Sequence, residues 1–356
     1  MSTHLNGLGK RRTEIERLVD KVRPYLASDE TFDVLVNPPR AEGLGCTVWV
    51  DSADGGLTNT GLVLPKVEVE NLNRSIASEL GRYIDDEHPI LMGELPWDGS
   101  RVTALNYPVT RNGPALCLRK PSSRLFSLAD YVCAGSLDGP HPAGKERPLP
   151  PVRGHRAIIE YAVEQGWNGL IAGAPQSGKS TLLNAMQLVA RERDSNRRLY
   201  LVEDLEELKN EALPENVLRV QPCEALGITD SHLLQVGLRV RPDGIIIAEL
   251  LRPQAAYAFF SSLNTGLTSS WTTIHANSAH DALLRCETLI EQVPGIDVSP
   301  SMIASAIDLV VYIARLPGGR RITEVALVRG SSGRGQYDLE YIEVDDSSLL
   351  LERNVA

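Results

Sequence analysis

The second half of the chain predicts an α/β domain with a parallel sheet, and the first half predicts a smaller α+β domain. Three observations carry this reading. Short apolar runs at residues 168–172, 199–202, 244–248 and 272–275 alternate with segments of helical period. Alternation of that kind builds a parallel sheet with helices on both faces. The first run leads into Gly173-Ala174-Pro175-Gln176-Ser177-Gly178-Lys179-Ser180-Thr181, which fits G-x-x-x-x-G-K-[ST] and opens a stretch of helix formers. Residues 135–152 hold many Gly and Pro and little apolar periodicity, so they read as a linker between residues 1–134 and 153–356.

The elements follow in order. Ile15, Leu18, Val19, Val22, Tyr25 and Leu26 recur at helical spacing and predict a first amphipathic helix. Residues 32–36 and 46–50 read as strands around a Pro-rich turn. Helical period returns over 67–84, and strand-like runs follow at 101–105 and 115–119. In the second half, a helix over 155–165 precedes the glycine loop. The tail holds three strand-like runs, at 309–314, 322–328 and 337–344.

Composition excludes several classes. The chain of 356 residues is long enough for two domains of ordinary size. A net charge of −10 argues against a protein whose main task is gripping nucleic acid, so no direct nucleic-acid binding is expected. Cys46, Cys117, Cys133, Cys223 and Cys286 form no C-x-x-C pair, which argues against a zinc site or a disulfide framework and suits a reducing cytoplasm. Residues 1–12 are polar and basic with no apolar core, so no signal peptide is expected. No run of about 18 apolar residues predicts a membrane span, so any membrane role is expected to be peripheral.

The glycine loop between a strand and a helix N-terminus makes an anion site, because backbone N–H groups and the helix dipole both favour negative charge. Lys179 is expected on the β- and γ-phosphates of a nucleoside triphosphate, and the Ser180 hydroxyl on Mg²⁺. Hydrolysis also needs an acid. Glu249 follows the apolar run 244–248, and ligands of parallel sheets bind at the carboxyl ends of the strands. Glu249 is therefore expected to activate water. A second apolar run ends in Glu203 and Asp204, with Glu206 and Glu207 beyond. Crowded carboxylates repel unless a cation sits among them, so this run is either part of a Mg²⁺-phosphate site or a solvated acidic loop. Arg239, Arg241 and Asp243 lie just before the Glu249 strand, and Thr272-Thr273-Ile274-His275 ends another strand in a histidine.

Taken in order, the glycine loop, Val202-Glu203-Asp204-Leu205-Glu206-Glu207-Leu208, Arg241-Pro242-Asp243 through Glu249, and Thr273-Ile274-His275-Ala276-Asn277-Ser278 resemble the secretion traffic ATPases of type IV and type II secretion. In the first half, Gly93-Glu94-Leu95-Pro96-Trp97-Asp98-Gly99-Ser100-Arg101, Leu116-Cys117-Leu118-Arg119-Lys120-Pro121 and Phe126-Ser127-Leu128-Ala129-Asp130-Tyr131-Val132 are similar to the family's N-terminal domain, most of all in its TrbB-type conjugative transfer branch. The resemblance implies a RecA-like P-loop core, ATP and Mg²⁺, and ATP held between the two domains of one subunit. It implies a homo-hexameric ring at the cytoplasmic side of the inner membrane, with membrane components of a secretion or conjugation machine as partners. The Walker A role falls on residues 173–181, the Walker B acid on Glu249, the Asp box on Glu203, Asp204 and Glu207, and the His box on His275. Arginines that approach the γ-phosphate match Arg101, Arg119 and Arg241. A pilus assembly motor is a close relative of this reading, and a nucleotide-binding assembly subunit with little turnover is a different class. The chain departs from the family pattern at Leu205, where Thr is usual, and at Ala248, where Gly is usual. It departs again at Ser269-Ser270, where Gly is common, and at Leu250-Leu251-Arg252, where the arginine is lost or moved by one.

Overall fold

The computed structural model describes residues 21–22, 24–25, 28–96, 98–121, 127–129 and 153–343. Two compact units divide the chain, Met1–Arg147 and Pro148–Ala356. Most of the expected first helix, the expected linker 135–152, Trp97, and most of the run from Phe126 to Val132 lie outside the described residues.

The first unit is one antiparallel sheet of six strands covered by a helix. Its strands are β1 (Thr31–Asn37), β2 (Cys46–Ser52), β3 (Gly56–Leu64), β4 (Ile90–Glu94), β5 (Arg101–Leu105) and β6 (Ala115–Arg119), in the order β3-β2-β1-β6-β5-β4. Helix α1 (Lys66–Glu79) buries Val69, Leu72, Ile76 and Ala77 against Val34, Val36, Val48 and Leu116 of the sheet. The helical period read from sequence runs to 84, but the helix stops at Glu79. Gly81 takes a left-handed φ of 64°, and Arg82 N–H reaches back to the Ala77 carbonyl at 2.8 Å. That is a Schellman ending, which glycine permits without steric cost. The buried Asn73 amide on α1 donates to Asn106 Oδ1 at 2.9 Å and to the Ala115 carbonyl at 3.2 Å, so a polar side chain fixes the helix on the sheet.

The second unit holds an eight-stranded mixed sheet in the order β14-β13-β12-β7-β11-β10-β8-β9. Its parallel part is β7 (Gly169–Ala172), β8 (Leu199–Val202), β9 (Val217–Val220), β10 (Gly244–Ile247), β11 (Trp271–Ile274) and β12 (Leu309–Leu316). The strands β13 (Gly319–Gly333) and β14 (Gln336–Tyr341) then turn back antiparallel. All eight residues of β7 and β11 are buried, as expected of strands covered by helices on each side. On one face α2 (His155–Glu164) and α3 (Lys179–Arg193) share a core with Ile171, Leu199, Leu201, Ile246 and Val311. The other face carries α4 (Asp230–Gly237), where the Tyr200 hydroxyl donates to the Leu233 carbonyl at 2.8 Å. Leu199, Tyr200 and Leu201 thus alternate between faces, the period of two that a strand imposes. Helices α5 (Pro253–Leu263), α6 (Ala279–Glu291) and α7 (Pro300–Ala306) complete the unit. Among the described residues, no helix is long and apolar enough to cross a membrane.

Candidate active site

The four buried residues of β7 deliver the chain into the glycine loop, and α3 begins at Lys179. Two glycines are forced by the geometry. A β-carbon on Gly173 would lie 2.4 Å from the Ile313 carbonyl oxygen of β12 and 2.5 Å from Ser177 Oγ. Gly178 caps α3 at φ 104°, a left-handed conformation that strains any other residue. The Ser177 hydroxyl is fully buried inside the loop with no hydrogen-bond partner among the described residues. The first N–H groups of α3 have no intrahelical acceptor. The loop is therefore a cradle of donors at the positive end of a 15-residue helix, a fit for phosphate.

Lys179, His275 and Glu249 form one chain of contacts beside that cradle. The Lys179 ammonium donates to the carbonyls of Gly173 at 3.1 Å and Ala174 at 3.0 Å, and to His275 Nδ1 at 3.1 Å. His275 Nε2 meets Glu249 Oε1 at 2.5 Å. Nδ1 also lies 3.3 Å from the Gly173 carbonyl, but it cannot accept from Lys179 and donate to Gly173 together. With an ammonium at 3.1 Å, the acceptor role prevails, so the ring proton sits on Nε2 and points at Glu249. Burial pushes the Lys179 ammonium below its ordinary pKa, while the charges of Glu249 and Glu207 push it up. The backbone holds these groups in line. Leu250 N–H bonds the Thr273 carbonyl at 2.8 Å, and the Thr273 hydroxyl bonds the Ala248 carbonyl at 2.7 Å. The Glu249 strand end and the His275 strand end are thereby stitched together.

The acidic segment after β8 divides in two. Glu203 is buried and accepts from Arg219 Nε at 2.7 Å and from Glu207 N–H at 3.2 Å. Burial raises its pKa against the opposing pull of Arg219. Glu203 thus folds the segment onto edge strand β9 through an ion pair. Glu207 faces the loop side, and Asp204 lies 3.7 Å from Arg252. Glu207 accepts a short hydrogen bond from the Ser180 hydroxyl, and Asn184 Nδ2 bridges the Ser180 carbonyl at 2.8 Å and the Glu207 carbonyl at 3.2 Å. Glu203, Asp204, Glu207 and Glu249 line a cleft of about 200 Å³ whose rim carries the exposed Leu205 and Leu251. No group of three or more His, Cys, Asp or Glu that could hold a metal occurs among the described residues. Mg²⁺ at a nucleotide needs fewer, because one or two carboxylates, phosphates and water complete its shell. Ser180 with Glu207 is a donor pair of that kind.

Arg252, the arginine displaced by one position in sequence, is an anchor. It contacts Asp230 at 2.6 Å, Glu224 at 2.6 Å and Asp204 at 3.7 Å. Asp230 is buried, which raises its carboxyl pKa against the hydrogen bond from Arg252. Neither Arg252, Arg219 nor Asn184 was singled out as a site residue by sequence. Asn184 carries a readable signal, since it sits four residues after Ser180 on one helix face.

The expected arginines are placed differently. Arg241 precedes β10, whose carboxyl end leads to Glu249, so it stands at the opposite end of the parallel sheet from the loop. There it takes a φ of 59° and pairs with Asp243, whose carboxylate also accepts from Arg198 N–H at 2.8 Å. Within one copy of the second unit, Arg241 is not brought together with Lys179. Arg101 and Arg119 lie in the first unit, directly opposite each other on β5 and β6. Glu94 flanks Arg101 in the same row, and Asp33 holds Arg119 at 2.9 Å.

Several known proteins are similar to this chain. A family model described as "Type II/IV secretion system protein" matches residues 154–319. The "Conjugal transfer protein TrbB" of Rhizobium radiobacter is 30% identical over 335 residues, covering 94% of this chain and 94% of that protein. The "Type IV secretion system protein PtlH" of Bordetella pertussis is 28% identical, covering 88% of this chain and 95% of that protein. Among solved structures, the VirB11 ATPase of the Brucella suis type IV secretion system is similar at a TM-score of 0.76 and 24% identity, covering 90% of this chain and 96% of that one. That likeness is one of fold. A smaller N-terminal sheet and a larger mixed sheet match the RecA-like architecture of a VirB11-type ATPase.

Proposed function

The chain belongs to the VirB11/TrbB-type family of type II/IV secretion and conjugation ATPases, and on that premise we propose that it hydrolyses ATP to drive conjugative transfer or type IV secretion. The observation that carries the reading is the Lys179–His275–Glu249 chain beside the glycine loop. Lys179 binds the β- and γ-phosphates once they replace the loop carbonyls as its acceptors. Glu249 orients water and takes its proton, and His275 links the state of that carboxylate to Lys179. Ser180 and Glu207, with Asp204 of the same cleft, would hold Mg²⁺, which would supply positive charge to the phosphates. Glu203 keeps the acidic segment in place through Arg219.

In this proposal the chain works as a homo-hexameric ring, peripheral at the cytoplasmic face of the inner membrane, with membrane components of the transfer machine as partners. Arg101 and Arg119 serve the phosphates as a pair of guanidinium groups suited to that charge. Arg241 reaches a phosphate only from a neighbouring subunit.

Mg²⁺-dependent phosphate release by the full chain tests the reading. Lys179→Ala should abolish nucleotide binding and turnover, while Glu249→Gln should keep binding and lose turnover. Equal rates in all three proteins would sink it. A second reading, a nucleotide-binding assembly subunit with little turnover, is favoured by one feature: His275 already holds Glu249. Tight ATP binding with no release of phosphate by the assembled ring would select it.

A further inference from the structure

The hairpin between β12 and β13 reaches over the start of α3 and brings two arginines to the phosphate loop. A two-residue turn, Pro317-Gly318, joins Leu316 to Gly319, and Arg315 pairs directly with Arg320. Directly paired residues of antiparallel strands project to one face. Ile313 and Ile322 are the preceding pair on that face, and both pack into the core shared with Leu183 and Met186 of α3. The two arginines therefore continue this column past the end of the core, on the α3 side of the sheet. Arg320 lies against the loop itself. A β-carbon built on Gly178 would be 3.0 Å from Arg320 Cδ and 3.6 Å from its Nε. Both arginines are exposed, and among the described residues neither has an ion pair with a carboxylate. Like charges directly opposite in a ladder are destabilising. Their pairing against the loop glycine calls for an anion.

The sheet order says which part of a nucleotide that anion is. Next to β7 on one side stands β11, then β10, which carry His275 and Glu249. On the other side stands β12, with the hairpin. A triphosphate laid across the loop with its γ-phosphate toward Glu249 has its α-phosphate and nucleoside toward Arg320. We propose that Arg320, assisted by Arg315, binds the α-phosphate and nucleoside end of the nucleotide. This rests on the ATP-site reading above and adds a binding residue on the side away from the chemistry. The matched family segment ends at residue 319, one position short of Arg320. A guanidinium suits the task, because it forks onto phosphate oxygens and stacks on a base.

An interaction at that end is the same before and after γ-phosphate transfer, so it strengthens binding without changing turnover. Calorimetric titration of the full chain with ADP, and separately with tripolyphosphate, tests this alongside steady-state ATPase kinetics. Arg320→Ala should weaken ADP by about tenfold or more and raise the KM for ATP in proportion, with kcat held within about twofold. Tripolyphosphate, which has no nucleoside end, should lose less than ADP does. Arg320→Lys should recover part of the ADP affinity, and Arg315→Ala should show a smaller loss in the same direction. An unchanged thermal midpoint in Arg320→Ala confirms that its fold is intact. Equal ADP affinity in Arg320→Ala and the parent chain overturns this inference alone. A fall in kcat at constant KM also overturns it, by moving Arg320 to the transferring phosphoryl group. No ADP binding by the parent chain overturns both this inference and the ATP-site reading.

Discussion

Glu249 and His275 share a contact of 2.5 Å, and the far nitrogen of the same ring accepts from Lys179 at 3.1 Å. The Lys179 ammonium and the Glu249 carboxylate are thus joined by one side chain.

Removing that ring should separate binding from turnover. His275→Ala leaves Lys179 with its loop carbonyls and Glu249 without its donor. We expect kcat to fall about 10- to 100-fold, the scale of losing a group that orients a catalytic acid or base, while the Kd for ADP changes much less. Steady-state kinetics paired with ADP titration checks it. A variant that loses both in equal measure would show that His275 serves the loop fold instead.

Arg252 should matter to stability more through Asp230 than through its own contacts. Arg252→Ala leaves a buried carboxylate without its cation. Because Arg252 is itself partly exposed, the expected loss is about 1–3 kcal/mol. Asp230→Asn in the same chain removes the orphaned charge and should restore most of it. Urea unfolding of the two variants decides the matter, and additive losses in the double variant would refute the pairing.

Glu203 predicts a pH dependence. Burial raises its pKa above the ordinary 4.5, so between pH 4.5 and the raised value the folded chain holds a proton that the unfolded chain has lost. Stability therefore falls as pH rises through that window. Glu203→Gln keeps the shape but cannot titrate. The stability of the parent chain relative to Glu203→Gln should grow as pH falls toward 4.5, measured by thermal midpoints in matched buffers. Parallel midpoint curves would contradict it.

What sequence revealed and what it hid follow from burial. Strands β1, β2, β5, β6, β7, β8, β10, β11, β12, β13 and the edge strand β14 are all legible, because apolar runs mark strands covered on at least one face. The strands without a sequence signal, β3, β4 and β9, are all sheet edges. β3 alternates exposed and half-buried positions, and β9 spends one of its four residues on Arg219. An edge strand has one neighbour and a mixed surface, so its period is blurred. The same limit applied to the site. The glycine loop, Glu249 and His275 were readable because they end strands that are themselves readable. The partners that hold the neighbouring acidic residues, Arg219 on β9 and Arg252 just before α5, are specified by sheet order, which no local pattern records. Sequence order also misled in one case. Arg241 precedes the Glu249 strand by a few residues, yet a strand has two ends, and Arg241 is at the other one.

The bond from Ser180 to Glu207 ties the first turn of α3 to the acidic segment after β8. Asn184 adds two more ties, from its amide to the Glu207 carbonyl at 3.2 Å and from Lys209 N–H to its oxygen at 2.8 Å. Helix and segment are thereby fastened at three points, so a displacement of one is passed directly to the other.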